Sequence, residues 1–274
     1  MRITAIVENT SHKAWPVQHG LSLYVRRRNG ERILFDMGQD SLFVHNAERA
    51  GLSIAQVDFA VVSHGHYDHG GGLQAFLSAN EKAKVFVHRD AFLPHYSLRE
   101  TGLTYIGLDP SLLSQPRLSF CEGVTPLGNG LTLFSDVEAH CCFPAGNSRL
   151  FGPTDGELDT FCHEQSLIIQ DDDLVVLLAG CAHRGMVNIV RRAAEIVGRP
   201  PTHVFGGMHL AKSELSETEE DAYIRTLAAQ LMQFPTTKFF TMHCTGIEAF
   251  HKLQALMGNQ IDYLACGETV EAND

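Results

Sequence analysis

The sequence has little positive charge and no long apolar segment. Its 274 residues contain 21 Lys and Arg against 32 Asp and Glu, a net charge of −11 at pH 7. Proteins that bind nucleic acid usually carry a basic patch, so this balance predicts no nucleic-acid partner. No apolar stretch reaches the roughly 18 residues of a membrane-spanning helix, and residues 1–9 show no apolar region of a signal peptide. We therefore expect no membrane partner and no signal peptide.

Two further absences narrow the chemistry. The seven cysteines are odd in number and scattered, which favours a reducing compartment and predicts a cytoplasmic protein without a disulfide framework. The chain also lacks the Gly-x-Ser-x-Gly sequence of many serine hydrolases. Histidine, in contrast, is abundant, with fifteen residues, and imidazole is the commonest metal ligand in proteins. Metal binding is therefore our first hypothesis.

Residues 63–70 concentrate side chains that bind metals. They read Ser-His-Gly-His-Tyr-Asp-His-Gly and follow the apolar residues 57–62, which are typical of a buried strand. Three imidazoles and a carboxylate at a strand end suit zinc, manganese or iron. Side chains two positions apart on an extended loop tend to share a side, so we expect His64 with His66, and Asp68 with His69, to serve two neighbouring ions.

The rest of the chain alternates predicted strands and helices in two comparable halves, without a Pro- or Ser-rich linker. This pattern predicts one α/β or α+β domain over residues 1–274. One predicted helix begins with a capping box, in which Glu219 follows Ser216 by three residues. Residues 92–120 and 138–163 show no clear period, and we expect irregular segments there that shape a substrate pocket.

Two later histidines stand at comparable positions. His183 follows the predicted strand 174–179, and His243 follows the predicted strand 238–242. Each precedes a predicted helix, as the first histidine cluster does. Two divalent ions need about five or six protein ligands, so both histidines are candidates.

The pattern His-x-His-x-Asp-His after a strand resembles the metal-binding loop of the metallo-β-lactamase superfamily of hydrolases. Flanking segments resemble one branch, the 7,8-dihydropterin-6-yl-methyl-4-(β-D-ribofuranosyl)aminobenzene 5′-phosphate synthase-like proteins. The matching segments are residues 8–10, 19–22, 34–38, 180–185, 206–210 and 243–246. This resemblance extends over almost the whole chain and implies a four-layer αββα sandwich, with two mixed sheets flanked by helices.

The resemblance also implies a ligand set. It assigns His64, His66 and His183 to one ion, and Asp68, His69 and His243 to the other. We expect zinc in both sites, with manganese, iron or nickel as alternatives. A metal-bound hydroxide would then hydrolyse a small ester, phosphoester or pterin/ribofuranosyl-phosphate-like substrate. A non-haem iron redox protein and a non-catalytic metal-binding sensor on the same scaffold are the alternative functions.

Three candidate residues around the centre leave alternatives open. Many superfamily members have a metal-bridging aspartate where Cys181 stands, and we interpret Cys181 as a small buried residue, with a thiolate ligand as the alternative. His140 rivals His183 as the third ligand of the first ion. Asp36 is predicted to orient a ligand histidine rather than to bind metal.

Three residues are candidates for contacts with substrate. Asp68 is predicted to be catalytic as well as metal-binding. His209, beside the glycines 206 and 207, is predicted to contact substrate or transfer a proton. Arg184 directly follows His183 and is a candidate partner for a phosphorylated small-molecule substrate.

Overall fold

A computed structural model describes residues 1–154, 156–211 and 215–273. The strands are β1 (Arg2–Val7), β2 (Ser22–Arg26), β3 (Arg32–Phe35), β4 (Phe59–Val61), β5 (Lys84–His88), β6 (Tyr96–Arg99), β7 (Gly102–Tyr105), β8 (Leu118–Cys121), β9 (Val124–Gly128), β10 (Leu131–Phe134), β11 (Leu150–Phe151), β12 (Ser166–Asp171), β13 (Leu174–Leu178), β14 (His203–Phe205), β15 (Lys238–Thr241), β16 (Ile261–Tyr263) and β17 (Thr269–Glu271). The helices are α1 (Leu42–Arg49), α2 (Tyr67–Gly70), α3 (Leu73–Ala79), α4 (Met186–Val197), α5 (Glu217–Leu231) and α6 (Ile247–Met257).

The strands form two large mixed sheets and one small sheet. The first sheet has the order β17-β1-β2-β3-β4-β5-β8, and the second has the order β16-β15-β14-β13-β12-β10-β9. The small sheet has the order β11-β6-β7. In the first large sheet β3, β4 and β5 are parallel, and in the second β13, β14, β15 and β16 are parallel. Parallel strands bring their carboxyl ends to one edge, where ligands usually bind.

Apolar alternation explains how the layers stack. In β13, Val176 packs into the cluster shared by the two large sheets, whereas Val175 packs towards the outer helices of the second sheet. Such a strand is covered on both faces and reads as a continuous apolar run. Helices α4, α5 and α6 cover the second sheet, and α1 and α3 cover the first. The resulting αββα sandwich confirms the predicted fold class.

The irregular segments contain more regular structure than we expected. Residues 92–120 form the β6–β7 hairpin and end in β8, which joins the first large sheet. Residues 138–163 contribute β11, which pairs with β6. The expectation of an irregular segment over residues 92–120 was wrong about these strands. They are short and half-exposed, so their alternation is weak, and one of them depends on a partner distant in sequence.

No helix among the described residues is long and apolar enough to cross a membrane. The predicted capping box is present at the start of α5. The Ser216 side chain accepts a hydrogen bond from the amide of Glu219, and the Glu219 carboxylate accepts one from the amide of Ser216.

Candidate metal centre

The metal loop, residues 63–70, begins two residues after the central strand β4. Strand β4 is fully buried, so the polar residues that follow it enter the sandwich at the sheet edge. Helix α2 begins immediately after His66, which turns Asp68 and His69 back towards the first two histidines. The loop backbone approaches the second sheet closely, because a Cβ on Gly180 would lie 2.3 Å from Ser63 Oγ. A glycine is therefore required there.

Three histidines form the first donor group. His64 Nε2 and His66 Nδ1 are 3.1 Å apart, and donor atoms of His64, His66 and His183 all lie within 4.8 Å of one another. All three residues are buried, and His183 Nε2 has no hydrogen-bond partner among the described residues. An unpaired buried nitrogen is costly in a folded protein, and three converging imidazoles are suited to holding a cation.

Asp68, His69 and His243 form the second donor group. Asp68 Oδ2 is 3.4 Å from His243 Nε2 and 3.8 Å from His69 Nε2. The two imidazole nitrogens are 3.3 Å apart. Strand β15 delivers His243 to this point, so the group joins the two large sheets at their common edge.

Most of the histidines in the two groups are oriented by a partner on the outward nitrogen. His69 Nδ1 donates to Asp36 Oδ2 at 2.6 Å, and Asp36 also accepts hydrogen bonds from the amide and hydroxyl of Ser63. Ser63 Oγ, having given its proton to Asp36, accepts from His64 Nδ1 at 2.8 Å. Asp36 therefore lies behind the candidate ligands, where we predicted it. Such partners fix the tautomer of a ligand histidine.

Side-chain amides have the same role in the later histidines. Asn9 Oδ1 is 2.9 Å from His243 Nδ1, and Asn147 Oδ1 is 2.9 Å from His183 Nδ1. Each amide also donates to the backbone carbonyl of its histidine, which identifies its oxygen as the atom facing the ring. Both histidines therefore carry the proton on Nδ1 and direct the lone pair of Nε2 inward.

Two buried carboxylates anchor the backbone of the same two histidines. Glu164 accepts hydrogen bonds from the amides of His183 and Arg184, at 2.7 and 2.8 Å. Glu8 accepts one from the amide of His243 at 2.7 Å. Burial raises the pKa of Glu164 to about 7 in spite of these hydrogen bonds. We did not identify the role of Glu8 or Glu164 from the sequence.

The electrostatic environment favours metal binding. Burial, reinforced by neighbouring histidines, lowers the pKa of His64 and His183, so both present neutral imidazoles, the form that coordinates metals. Burial alone would raise the pKa of Asp68, but His69, His19 and His243 hold it well below its usual range. His69 is the exception: burial would lower its pKa, yet Asp36 and Asp68 raise it to about 9, so a cation that binds there must displace a proton from this imidazole.

Cys181 lies in the centre rather than in an apolar core cluster. It is buried, as expected, but its Sγ is 3.1 Å from His69 Nε2. It also belongs to donor groups with His64 and His69 and with His183 and His209. Burial raises the pKa of its thiol, so a nearby cation would be needed to stabilise the thiolate. The sulfur position favours the ligand alternative over the interpretation as a small apolar residue.

The structure separates the remaining candidates. His209 is half-buried, with its ring centroid 4.3 Å from that of His183, and it lies at the centre. His140 is exposed and pairs with Glu138 at 3.1 Å, so His183 rather than His140 completes the first group. The Arg184 guanidinium donates to the carbonyls of Val137 and Thr160, and it lines a pocket of about 670 Å³ whose walls contain none of the donor groups.

Four further residues were missed by sequence reasoning. His19 Nε2 lies 3.2 Å from Asp68 Oδ2 on the solvent side. The other three form what we call the outer cluster: His95, Asp159 and His163, all buried beside His66. His95 and His163 both bond to Asp159 Oδ2, at 2.8 and 3.2 Å. They come from the two segments without a clear period, so no local pattern identified them.

The donor atoms fit a divalent metal. Around a tetrahedral zinc ion with Zn–N bonds of about 2.0–2.1 Å, neighbouring nitrogens are ~3.3 Å apart. The nitrogen–nitrogen distances of 3.1 Å between His64 and His66 and 3.3 Å between His69 and His243 match this spacing. The donors are imidazole nitrogens, a carboxylate oxygen and a thiol sulfur, and this mixture suits zinc or iron better than magnesium or calcium.

Comparisons with known proteins agree with this reading of the fold. The whole chain aligns with all of a solved structure described as a metal-dependent hydrolase of the β-lactamase superfamily, with a TM-score of 0.83 and 29% identity. Residues 15–192 match the Metallo-beta-lactamase superfamily. The chain belongs to this superfamily.

Two relatives from Methanocaldococcus jannaschii cover most of the chain. An uncharacterized protein is 30% identical over 93% of this chain and 94% of its own length. The 7,8-dihydropterin-6-methyl-4-(beta-D-ribofuranosyl)-aminobenzene-5'-phosphate synthase is 25% identical over 93% of this chain and 90% of its own. A diphosphatase of the PhnP family shares the fold, with a TM-score of 0.55 at 12% identity over 99% of this chain and 98% of its own.

Proposed function

We propose that this protein is a metal-dependent hydrolase whose centre holds two divalent ions, with zinc favoured. The first ion would bind His64 Nε2, His66 Nδ1 and His183 Nε2. The second would bind Asp68, His69 and His243 through the atoms described above. The observation that carries this proposal is the convergence of six buried donor atoms in two groups, at separations that suit a tetrahedral cation.

The protein's own groups fix this arrangement before a cation binds. Asp36, Asn9 and Asn147 hold three histidines in the tautomer that directs a lone pair inward. Little reorganisation is then needed when an ion enters. When bound, a pair of divalent ions supplies Lewis acidity and lowers the pKa of water, so that the chain needs no side-chain nucleophile.

His209 is our candidate for proton transfer to the leaving group. Its ring lies against that of His183, and its Nδ1 is buried without a partner among the described residues. An imidazole beside the centre can carry a proton on one ring nitrogen and accept one on the other. The substitution His209→Gln is expected to lower kcat while leaving the metal content unchanged; loss of metal would instead assign His209 to binding.

The substrate class follows from chemistry and from one relative. The synthase among the relatives is named for a compound that contains a pterin and a 5'-phosphate. We therefore propose a small phosphoester or ester as the substrate. Arg184 does not support a phosphate, since three of its nitrogens donate to backbone carbonyls. Hydrolysis of p-nitrophenyl phosphate, bis-p-nitrophenyl phosphate and p-nitrophenyl acetate, each with and without added zinc, distinguishes the bond classes.

We propose further that residues 1–274 act as one domain, with residues 92–120 and 138–163 shaping the pocket. Support comes from the apolar cluster shared by both large sheets and from the outer cluster, which these segments place beside the metal loop. A single calorimetric unfolding transition is expected. Two separated transitions would contradict the proposal.

Metal content tests the central proposal directly. We expect elemental mass spectrometry to give close to two ions per chain in the untagged wild type, and one fewer in His183→Ala. His140→Ala is the matched control, because His140 is an exposed histidine paired with Glu138, and its metal content should be unchanged. Absence of divalent metal, or activity that survives a chelator, would contradict the hydrolase proposal. Stoichiometric iron with a visible absorption band would favour the redox alternative.

A further inference from the structure

His66 differs from the other candidate ligands in its outward nitrogen. The outward nitrogens of His64, His69, His183 and His243 each face a side-chain oxygen within hydrogen-bonding distance. His66 Nε2 is buried and has no partner among the described residues. Ligand histidines almost always donate this second N–H to an acceptor, so the structure leaves one such acceptor to be identified.

The proton on His66 can be placed once an ion is considered. His66 Nδ1 faces His64 Nε2 at 3.1 Å, inside the first donor group. A cation there requires the lone pair of Nδ1, so the neutral ring carries its proton on Nε2. That N–H points into the protein interior, where a donor without an acceptor is unfavourable.

His95 carries a buried acceptor nitrogen that lacks a donor. Its Nδ1 is 2.8 Å from Asp159 Oδ2, and a carboxylate oxygen only accepts, so Nδ1 carries the proton. The lone pair of Nε2 is buried and also has no partner among the described residues. Its ring centroid is 5.8 Å from that of His66. The approach is close because residue 65 is glycine: a Cβ there would lie 2.7 Å from His95 Nε2.

The hydrogen bonds within the outer cluster argue against a third cation site there. Donor atoms of His66, His95, Asp159 and His163 do lie within 4.8 Å of one another. However, His163 Nδ1 accepts a hydrogen bond from the amide of Gly65 at 3.0 Å. Its proton must then be on Nε2, where it is donated to Asp159. A cation on that nitrogen would require an imidazolate, so His163 acts as a hydrogen-bond donor.

We propose that His95 is the positioning partner of His66: with an ion on the first donor group, the Nε2–H of His66 donates to His95 Nε2. Asp159 holds His95 in the only neutral tautomer that can accept. The proposal requires the two rings to approach each other when the ion binds, because neither nitrogen has a hydrogen-bond partner among the described residues in this structure. Asp159 also holds His163 and, through it, the amide of Gly65, so one carboxylate orients the loop at two points. This inference rests on the proposed metal centre.

The substitution His95→Phe tests the proposal with affinity as the readout. In a zinc titration against a chromophoric chelator, the affinity of the first site should be lowered about 10–100-fold. The ion of the first site should therefore be lost to the chelator before the ion of the second site. The second site should keep its affinity. His95→Gln, whose side-chain oxygen can accept a hydrogen bond, should restore most of the loss. His88→Phe is the matched control, because His88 is a buried histidine whose ring accepts from the amide of Asp90.

A second measurement needs no variant. In zinc-loaded wild type with ¹⁵N-labelled histidine, the ring spectrum of His66 should show a proton on Nε2 that is protected from exchange with solvent. A bare Nε2 or a rapidly exchanging proton would overturn the proposal even if His95→Phe fails to fold.

The outcomes separate this inference from the proposed function. Wild type without bound zinc defeats the proposed function itself. Two ions in wild type and unchanged affinity in His95→Phe overturn only the role of His95. Equal weakening of both ions in His95→Phe and in His88→Phe would show a purely structural effect and would also overturn it. A third zinc ion in wild type that is absent from His95→Phe would show a cation between His66 and His95, where we propose a hydrogen bond. That result would also overturn the proposal.

Discussion

The metal loop and the outer cluster lie side by side but are built differently. The loop places three histidines and one aspartate within six consecutive residues after a buried strand. The outer cluster collects His95, Asp159 and His163 from distant parts of the chain, and the pairing of β6 with β11 brings those parts together. The loop presents lone pairs inward, whereas the cluster presents acceptors to the loop: His163 Nδ1 accepts from the amide of Gly65, and in our proposal His95 Nε2 accepts from His66.

This difference shows how coordination and orientation are divided in the fold. Ligands on one short segment can be positioned by a strand and a turn. The groups that hold those ligands in one tautomer must approach from outside, so they come from other strands and loops. We therefore expect substitutions in the loop to remove metal, and substitutions among the supporting residues to weaken binding or stability by smaller amounts.

The largest effect is expected from a loop ligand. His64→Ala removes one of three donors of the first group, so the affinity of the first ion should fall by more than the ~10–100-fold typical of an orienting residue. Hydrolysis should fall with it. Competition with a chromophoric chelator measures the affinity. His45→Ala, at an exposed position on α1, serves as a control. Unchanged zinc affinity in His64→Ala would contradict the expected difference between loop ligands and supporting residues.

The second prediction concerns an anchor distant in sequence from its partner loop. Glu164→Ala leaves the buried amides of His183 and Arg184 without their acceptor, which should lower the free energy of unfolding by about 2–4 kcal/mol. Urea denaturation of the metal-free protein measures it. Glu164→Gln keeps one acceptor oxygen and should cost less. Equal stability of Glu164→Ala and wild type would mean that water replaces the carboxylate.

The sequence predicted the contiguous chemistry and most of the framework. The αββα fold, the strand before the loop and the helix at Ser216 are confirmed by the structure. The strand and the helix depend on a local periodicity or a short motif, whereas the αββα sandwich was implied by the resemblance to the superfamily. The candidate ligands His183 and His243 were placed by strand ends and resemblance, and they lie within the two donor groups.

The parts that escaped prediction depend on long-range pairing. His95 directly precedes the short, half-exposed strand β6, and Asp159 lies outside the strands, with its amide donating to the carbonyl of Leu150 in β11. Glu8 and Glu164 resemble ordinary surface carboxylates in the sequence, although both are buried. Their roles are defined by backbone amides more than 15 residues away, at His183 and His243, and no pattern within a short window contains that information.

The third prediction tests an orienting carboxylate that was recognised from the sequence. Asp36→Asn keeps the size of the side chain but weakens its hydrogen bond with His69 Nδ1, so the affinity of the second ion should fall about 10–100-fold. The first ion should be less affected, although Ser63 connects Asp36 to His64. Chelator competition on both sites measures the ratio. A greater loss at the first site would show that the Ser63 connection dominates.

The smallest effect is expected where local sequence alone determines structure. Ser216 caps α5 by accepting from the amide of Glu219, and Ser216→Ala should lower the free energy of unfolding by about 1 kcal/mol. Helix α5 packs on the outer face of the second sheet and contributes none of the donor atoms, so the zinc stoichiometry and affinity should stay at wild-type values. Ser216→Gly should cost only a few tenths of a kcal/mol. A change in zinc affinity in Ser216→Ala would show that local helix stability reaches the centre through the second sheet, and the separation between coordinating and framework residues would then have to be abandoned.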